Sequence, residues 1–186
     1  MPPCSRLSLL IKNPLAKKLY LLLLPVMLLA SCHELNDDRI PMVGVNIDLG
    51  NAGVWATYGV SGYGPHREFI LADGIRLPAG FPYTVYSKTG YGGVLLIGGF
   101  NPFTGEIGPM AFDLSCPVER KPDVRVYIDE ETFDAICPVC GSHYNVVGSY
   151  GAPLTDPAKA FNYALTPYRC VPIFSANVIT GYVIQR

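Results

Sequence analysis

The sequence predicts an all-β domain, an antiparallel sandwich or small barrel, and three observations carry that expectation. Apolar and polar residues alternate at period two in several short runs. The cleanest has Val43, Val45, Ile47 and Leu49 alternating with Gly44, Asn46 and Asp48. The 17 prolines and 19 glycines cut the chain into short elements. Beyond residue 31 no stretch carries the 3.6-residue apolar period of an amphipathic helix. Short strands, frequent turns and no helices point to two packed β layers or a closed sheet.

Taken in order, residues 1–31 read as a targeting segment rather than as part of the fold. Arg6, Lys12, Lys17 and Lys18 form a basic n-region, and 19–30 is an apolar run of signal-peptide length, short for a membrane span. It ends in Leu29-Ala30-Ser31-Cys32, which resembles a bacterial lipobox with Cys32 as the lipidated residue. That resemblance implies a lipoprotein signal peptide at 1–31 and a membrane partner reached through an N-terminal lipid. It places the protein outside the cytoplasm, lipid-anchored to a bacterial membrane, periplasmic or outer-membrane. Residues 32–42 then read as a polar tether, with Glu34, Asp37 and Asp38, and 43–186 as one β domain. Of the chain's 14 basic and 15 acidic residues, the first 31 carry four basic and no acidic ones, which leaves a formal net of −5 beyond them. No basic cluster remains, so nucleic acid is not expected as a partner.

Within the domain, 43–49 is the first strand, turned by Gly50-Asn51, and 54–60 reads as the second. The runs 69–71 and 75–77 flank Asp73-Gly74, a hairpin turn. The aromatic run 83–87 reads as a short strand. The apolar run 94–97, between glycine pairs, reads as a strand buried on both faces, and 110–114 as the strand that leads to Cys116. Val124, Val126 and Ile128 alternate with polar or aromatic neighbours, Asp129-Glu130-Glu131 reads as a turn, and 132–136 runs back. The strands 144–147, 163–165, 168–171 and 178–184 complete the chain, the last in one piece or two about Thr180-Gly181.

The chemistry concentrates between Cys116 and Tyr144. A hairpin that returns over a similar length brings the Cys116-Pro117-Val118-Glu119 loop beside the Cys137-Pro138-Val139-Cys140 loop. C-x-x-C on a tight loop is the usual chelating half of a zinc site. Three thiolates, Cys116, Cys137 and Cys140, then hold zinc or an iron–sulfur cluster, with Glu119, His143 or water as the remaining ligand. Outside the cytoplasm a disulfide among the three, with no metal at all, competes with that reading. Thioredoxin-like exchange is not expected, because Gly141 to Val147 reads as a turn into a strand rather than as a helix N-terminus. Cys170, between Arg169 and Val171, reads as a small apolar core group.

Two cysteine loops flanking a hairpin, the second followed by Gly141-Ser142-His143-Tyr144, resemble the cluster-binding part of a Rieske iron–sulfur domain. In that family the loops read C-x-H and C-x-x-H, and two cysteines hold one iron of a [2Fe–2S] cluster while two histidines hold the other. Cys116 and Cys137 match the cysteine positions. Val118 and Cys140 stand where the histidines would be. Ser142 and Tyr144 match the hydroxyl donors to the cluster sulfurs, and Asp156-Pro157-Ala158 resembles the Gly-Pro-Ala loop that covers the cluster. The motif-level resemblance spans roughly 111–171. It implies a Rieske-like sandwich or barrel with a small inserted cluster-binding subdomain, and electron transfer to a redox partner protein. With an altered ligand set it equally implies a cluster-less binding or structural module with a disulfide at the old site. No Ser-His-Asp spacing or paired-carboxylate pattern stands out, so no catalytic residue is assigned. An oxygenase is not expected, since the chain offers no second domain for a catalytic iron.

Overall fold

The structure, a computed structural model, describes residues 35–72 and 74–186. The targeting segment, Cys32 and Asp73 lie outside the described residues. The alternating run becomes β1 (Val45–Leu49), with Val45, Ile47 and Leu49 buried and Asp48 exposed. The run 54–60, expected as a strand, is instead part of a short helix, α1 (Ala52–Tyr58). Asn51 is the reason: its side-chain oxygen accepts from Gly53 N at 2.9 Å and Val54 N at 3.4 Å, an N-cap that starts a helix before the apolar run can extend. Val54, Trp55 and Tyr58 then pack against the core from one side of the helix.

β2 (His66–Ala72) and β3 (Ile75–Leu77) form the expected hairpin. The run 83–87 is not a strand. Thr84 N–H donates to Ser87 Oγ and Tyr86 N–H to Thr84 Oγ1, so local side-chain bonds turn the chain and only β4 (Lys88–Thr89) pairs with β1. β5 (Val94–Asn101) and β6 (Glu106–Asp113) form a long hairpin, and β11 (Pro167–Ser175) and β12 (Val178–Gln185) another. β12 runs through Thr180-Gly181 in one piece, with an irregularity in register opposite Ile173 and Phe174. Residues 163–165 form no ladder strand. Ala164 N–H donates to Asn36 O and Leu165 N–H to Gly151 O. The segment read as a tether is therefore docked from Asn36 onward. Thr166 Oγ1 donates to Asp37 O, Arg39 lies over the Tyr163 ring at 4.1 Å, and Ile40 is buried.

All strand pairs are antiparallel and build an eight-stranded sheet, β3-β2-β5-β6-β11-β12-β1-β4. The sheet curls into a half-barrel, and Leu71 N–H on β2 donates to Thr89 Oγ1 on β4 across the closing gap. Between β6 and β11 the chain forms a second sheet of four short strands. These are β7 (Tyr127–Ile128), β8 (Asp134–Ile136), β9 (His143–Asn145) and β10 (Ala152–Pro153), in the order β10-β9-β8-β7. β10 lies in a segment expected to be loop throughout, and Pro153 sits on this edge strand, where its missing N–H is harmless.

The expected double burial of 94–97 has a clear origin. Val94 and Leu96 face the core inside the curl with Ile47, Phe69, Phe81 and Ile184. Leu95 and Ile97 face a second core, with Met110, Phe112, the small sheet's Ala135 and Tyr144, and Val146 just beyond β9. The small sheet is thus clamped to the back of β5 and β6, and Phe100 N–H donates to Val147 O at 2.7 Å. Gly99 makes that approach feasible: a Cβ there would sit 2.6 Å from Val147 O. Gly99→Ala is expected to lower stability by about 1–3 kcal/mol through overpacking, measured by urea denaturation; an unchanged midpoint would show that the two sheets are not packed this closely. Among the described residues no helix is long and apolar enough to cross a membrane.

Candidate metal centre

Cys116 leaves the end of β6 on a segment bonded on both sides. Leu114 N–H donates to Gly93 O and Val126 N–H to Leu114 O, while Cys116 N–H donates to Val124 O and Cys116 O accepts from Arg120 N. Val124 and Val126 therefore pair with the arm that carries Cys116, not with β8. The hairpin proper is confined to Tyr127↔Ile136 and Ile128↔Ala135, and Asp129 Oδ1 closes its turn by accepting from Glu131 N, Thr132 N and Thr132 Oγ1.

The second loop is a tight knuckle. Gly141 N–H donates to Cys137 O and Cys137 N–H to Ser142 O, both at 3.0 Å. Gly141 adopts φ +70, a conformation glycine takes at little cost. Closing the turn this way puts the sulfurs of Cys137 and Cys140 on one side, facing Cys116. The three Sγ atoms lie within 4.8 Å of one another. Cys116 and Cys140 approach to 3.7 Å, and no cysteine among the described residues is in a disulfide. Cys116 and Cys137 are buried; Cys140 is half-buried.

Each sulfur is served by hydrogen-bond donors. The Tyr144 hydroxyl lies 3.4 Å from Cys116 Sγ, and the main-chain N–H groups of Glu119 and Val118 are directed at the same atom. Cys137 Sγ accepts from Cys140 N at 3.5 Å. Cys140 Sγ lies 3.3 Å from Ser142 Oγ. That oxygen accepts from the Cys140 thiol and also from Ala158 N at 3.2 Å. Ser142, Tyr144 and Ala158 are all buried.

Burial pushes the Cys116 thiol up to about 12, against the opposing pull of the Tyr144 hydroxyl and the nearby N–H groups. Burial also raises Cys137, against the N–H donors of Cys140 and Val139. At Cys140 burial is outweighed by Ser142, through its hydroxyl and its N–H, and by the other two thiols, so that thiol falls below its ordinary value. Tyr144 is raised by burial and by the neighbouring Cys116.

The structure thus brings together Cys116, Cys137, Cys140, Ser142 and Tyr144 from the sequence-based set. The Glu119 carboxylate is not in the group of converging ligand atoms; what Glu119 directs at the sulfur is its N–H. His143 is not in it either, and its Nδ1 lies 3.5 Å from Asp134 Oδ2 on the neighbouring strand. Val118 packs its aliphatic side chain against the core that holds the cysteines. Cys170 stands on β11, half-buried, against the core inside the curl. Burial raises its thiol to about 12.

The sequence reading missed Asp113. Its carboxylate is fully buried and accepts from Tyr91 N, Gly92 N, Ser115 N and the Tyr168 hydroxyl. The Gly90 to Gly93 run therefore cradles an internal carboxylate three residues before Cys116. An acidic residue ending a buried strand beside a glycine-rich run was the available signal.

A tetrahedral ion with metal–sulfur bonds of about 2.3 Å spaces its ligands about 3.8 Å apart. The 3.7 Å Cys116–Cys140 approach matches that edge. A two-iron cluster separates the ligands of one iron from those of the other by the second iron and its bridging sulfides. Three sulfurs all within 4.8 Å of one another suit a single ion instead. Tyr144→Phe keeps the packing and removes one donor. It is expected to weaken metal binding about tenfold, the low end for a group that supports a ligand, in a competition titration; equal affinity would mean the hydroxyl does not act on Cys116. Searches of protein-family models, curated proteins and solved structures found no match for this chain.

Proposed function

We propose that this protein is a metal-binding module of Rieske-like architecture, in which Cys116, Cys137 and Cys140 hold one thiophilic ion, zinc or iron, in place of a [2Fe–2S] cluster. The observation that carries the reading is the convergence of three free thiols, with a hydroxyl or main-chain N–H group within hydrogen-bond reach of each sulfur. Donors of this kind stabilise thiolates, the form that binds metal. A disulfide would use two of the sulfurs and has no need of them. The kinship draws support from layout: a four-stranded sheet inserted between β6 and β11, cysteine loops at one end of its β7–β8 hairpin, and the 155–158 loop bonded to Ser142. The lipid anchor at Cys32, an extracytoplasmic address and a membrane-side redox partner complete the proposal, the last only if the ion is iron.

The test is metal analysis of the full-length protein with a thiol count and an absorbance spectrum. One zinc or iron per chain, with cobalt(II) substitution giving sulfur-to-cobalt charge-transfer bands, is the expected result. Metal-free protein with two fewer free thiols, unable to take up zinc, iron or cobalt after reduction, overturns it.

The thiol energetics give this site a pH dependence. Cys116 and Cys137 are raised by burial, so both carry protons at neutral pH without the ion. Binding must displace those protons, so affinity rises with pH and falls on acidification. At least the two protons on Cys116 and Cys137 should be released per ion near pH 7, measurable by calorimetry in buffers of different ionisation enthalpy. Binding without proton release would place the ion elsewhere.

A further inference from the structure

Resting on the metal reading above, the geometry points to a redox-controlled release of the ion: a peroxide oxidises Cys140, and Cys116 captures the product as a Cys116–Cys140 disulfide that removes two of the three ligands. The two sulfurs lie 3.7 Å apart and belong to different loops. A disulfide needs about 2.05 Å, so the remaining gap is closed by a small loop movement. The two partners differ in the way such a reaction requires. Cys116 is 0 % exposed, whereas Cys140 is half-buried beside exposed Pro138 and a Val139 that is 61 % exposed. A solvent-borne oxidant therefore meets Cys140 first.

The chemistry balances with hydrogen peroxide as the oxidant. The Cys140 thiolate attacks one peroxide oxygen; the S–O bond forms, the O–O bond breaks, and hydroxide leaves. Sulfur is oxidised to sulfenic acid and peroxide is reduced. The Cys116 thiolate then attacks the Cys140 sulfur; the S–S bond forms and a second hydroxide departs. Two thiolates and one peroxide give one disulfide and two hydroxides. Cys137 is left as a single thiolate, too few donors to retain the ion.

The experiment loads full-length protein with one zinc per chain, adds hydrogen peroxide in steps, and follows zinc release with a chromogenic chelator. Trypsin cuts after Arg120 and Arg125 and so separates Cys116 from Cys140. The expected result is about one zinc released per peroxide consumed, with the two peptides linked through Cys116 and Cys140 until a reductant parts them and zinc rebinds. The Cys140→Ser protein should form no such link. Zinc retained under peroxide, release with Cys140 as sulfinic acid and no link, or a Cys137–Cys140 pairing would each overturn the inference and leave the metal site standing. Failure to bind zinc, iron or cobalt at the outset removes the metal reading, and this inference with it.

Discussion

Cys140→Ser is expected to abolish stoichiometric zinc binding in the micromolar range while leaving the fold intact. The side chain is half-buried, so the replacement meets little packing resistance. Its sulfur completes the triad; without it, Cys116 and Cys137 remain as two thiols already held neutral by burial. Loss of a direct ligand should exceed the roughly 10–100-fold effect of losing a supporting partner. The Cys116→Ala protein should lose the metal as completely and also lose stability, since Cys116 is fully buried in the core under β5 and β6. Competition titration gives the affinities, and far-UV circular dichroism with a thermal scan separates ligand loss from unfolding. If Cys140→Ser binds zinc as the unaltered protein does, the ion is not held by the triad.

Asp113→Ala should be the most destabilising single change. The buried carboxylate is the common acceptor for Tyr91 N–H, Gly92 N–H, Ser115 N–H and the Tyr168 hydroxyl. Removing it strands four donors, three of them buried and that of Tyr91 part-buried, at about 1–3 kcal/mol each. A total of about 4 kcal/mol or more is a large share of the roughly 5–15 kcal/mol that holds a domain together. For a domain of this length the melting temperature should fall by about 10 °C or more. Tyr168→Phe removes one donor together with its bond and should cost far less, about 1–2 kcal/mol. The site should follow the fold, because Ser115 precedes Cys116 and its N–H is one of the four. A melting temperature within about 2 °C of the unaltered protein would show that the carboxylate is not the anchor described.

How legible the molecule was in its sequence differs from element to element. The Val45 to Leu49 alternation and the Val94 to Ile97 run were readable because their burial follows directly from side-chain type. The helix at Ala52–Tyr58 was not, since Val54 and Trp55 favour a strand and one cap at Asn51 decided otherwise. The 83–87 turn has the same character: hydroxyls at Thr84 and Ser87 captured backbone groups that a strand would have used. The docking of 36–40 depended on partners about 130 residues away, beyond the reach of any local pattern.

By itself the sequence determined an all-β class, a hairpin between two cysteine loops, and the identity of the three thiols. Those features follow from residue type and spacing. Only the tertiary structure decided that the thiols converge, that Glu119 and His143 stay outside the group, and that main-chain N–H groups point at the sulfurs. Every residue but proline carries the same N–H, so its direction is set by how a loop closes. Burial, which sets the thiol energetics, is a property of what packs above the loop rather than of the loop itself.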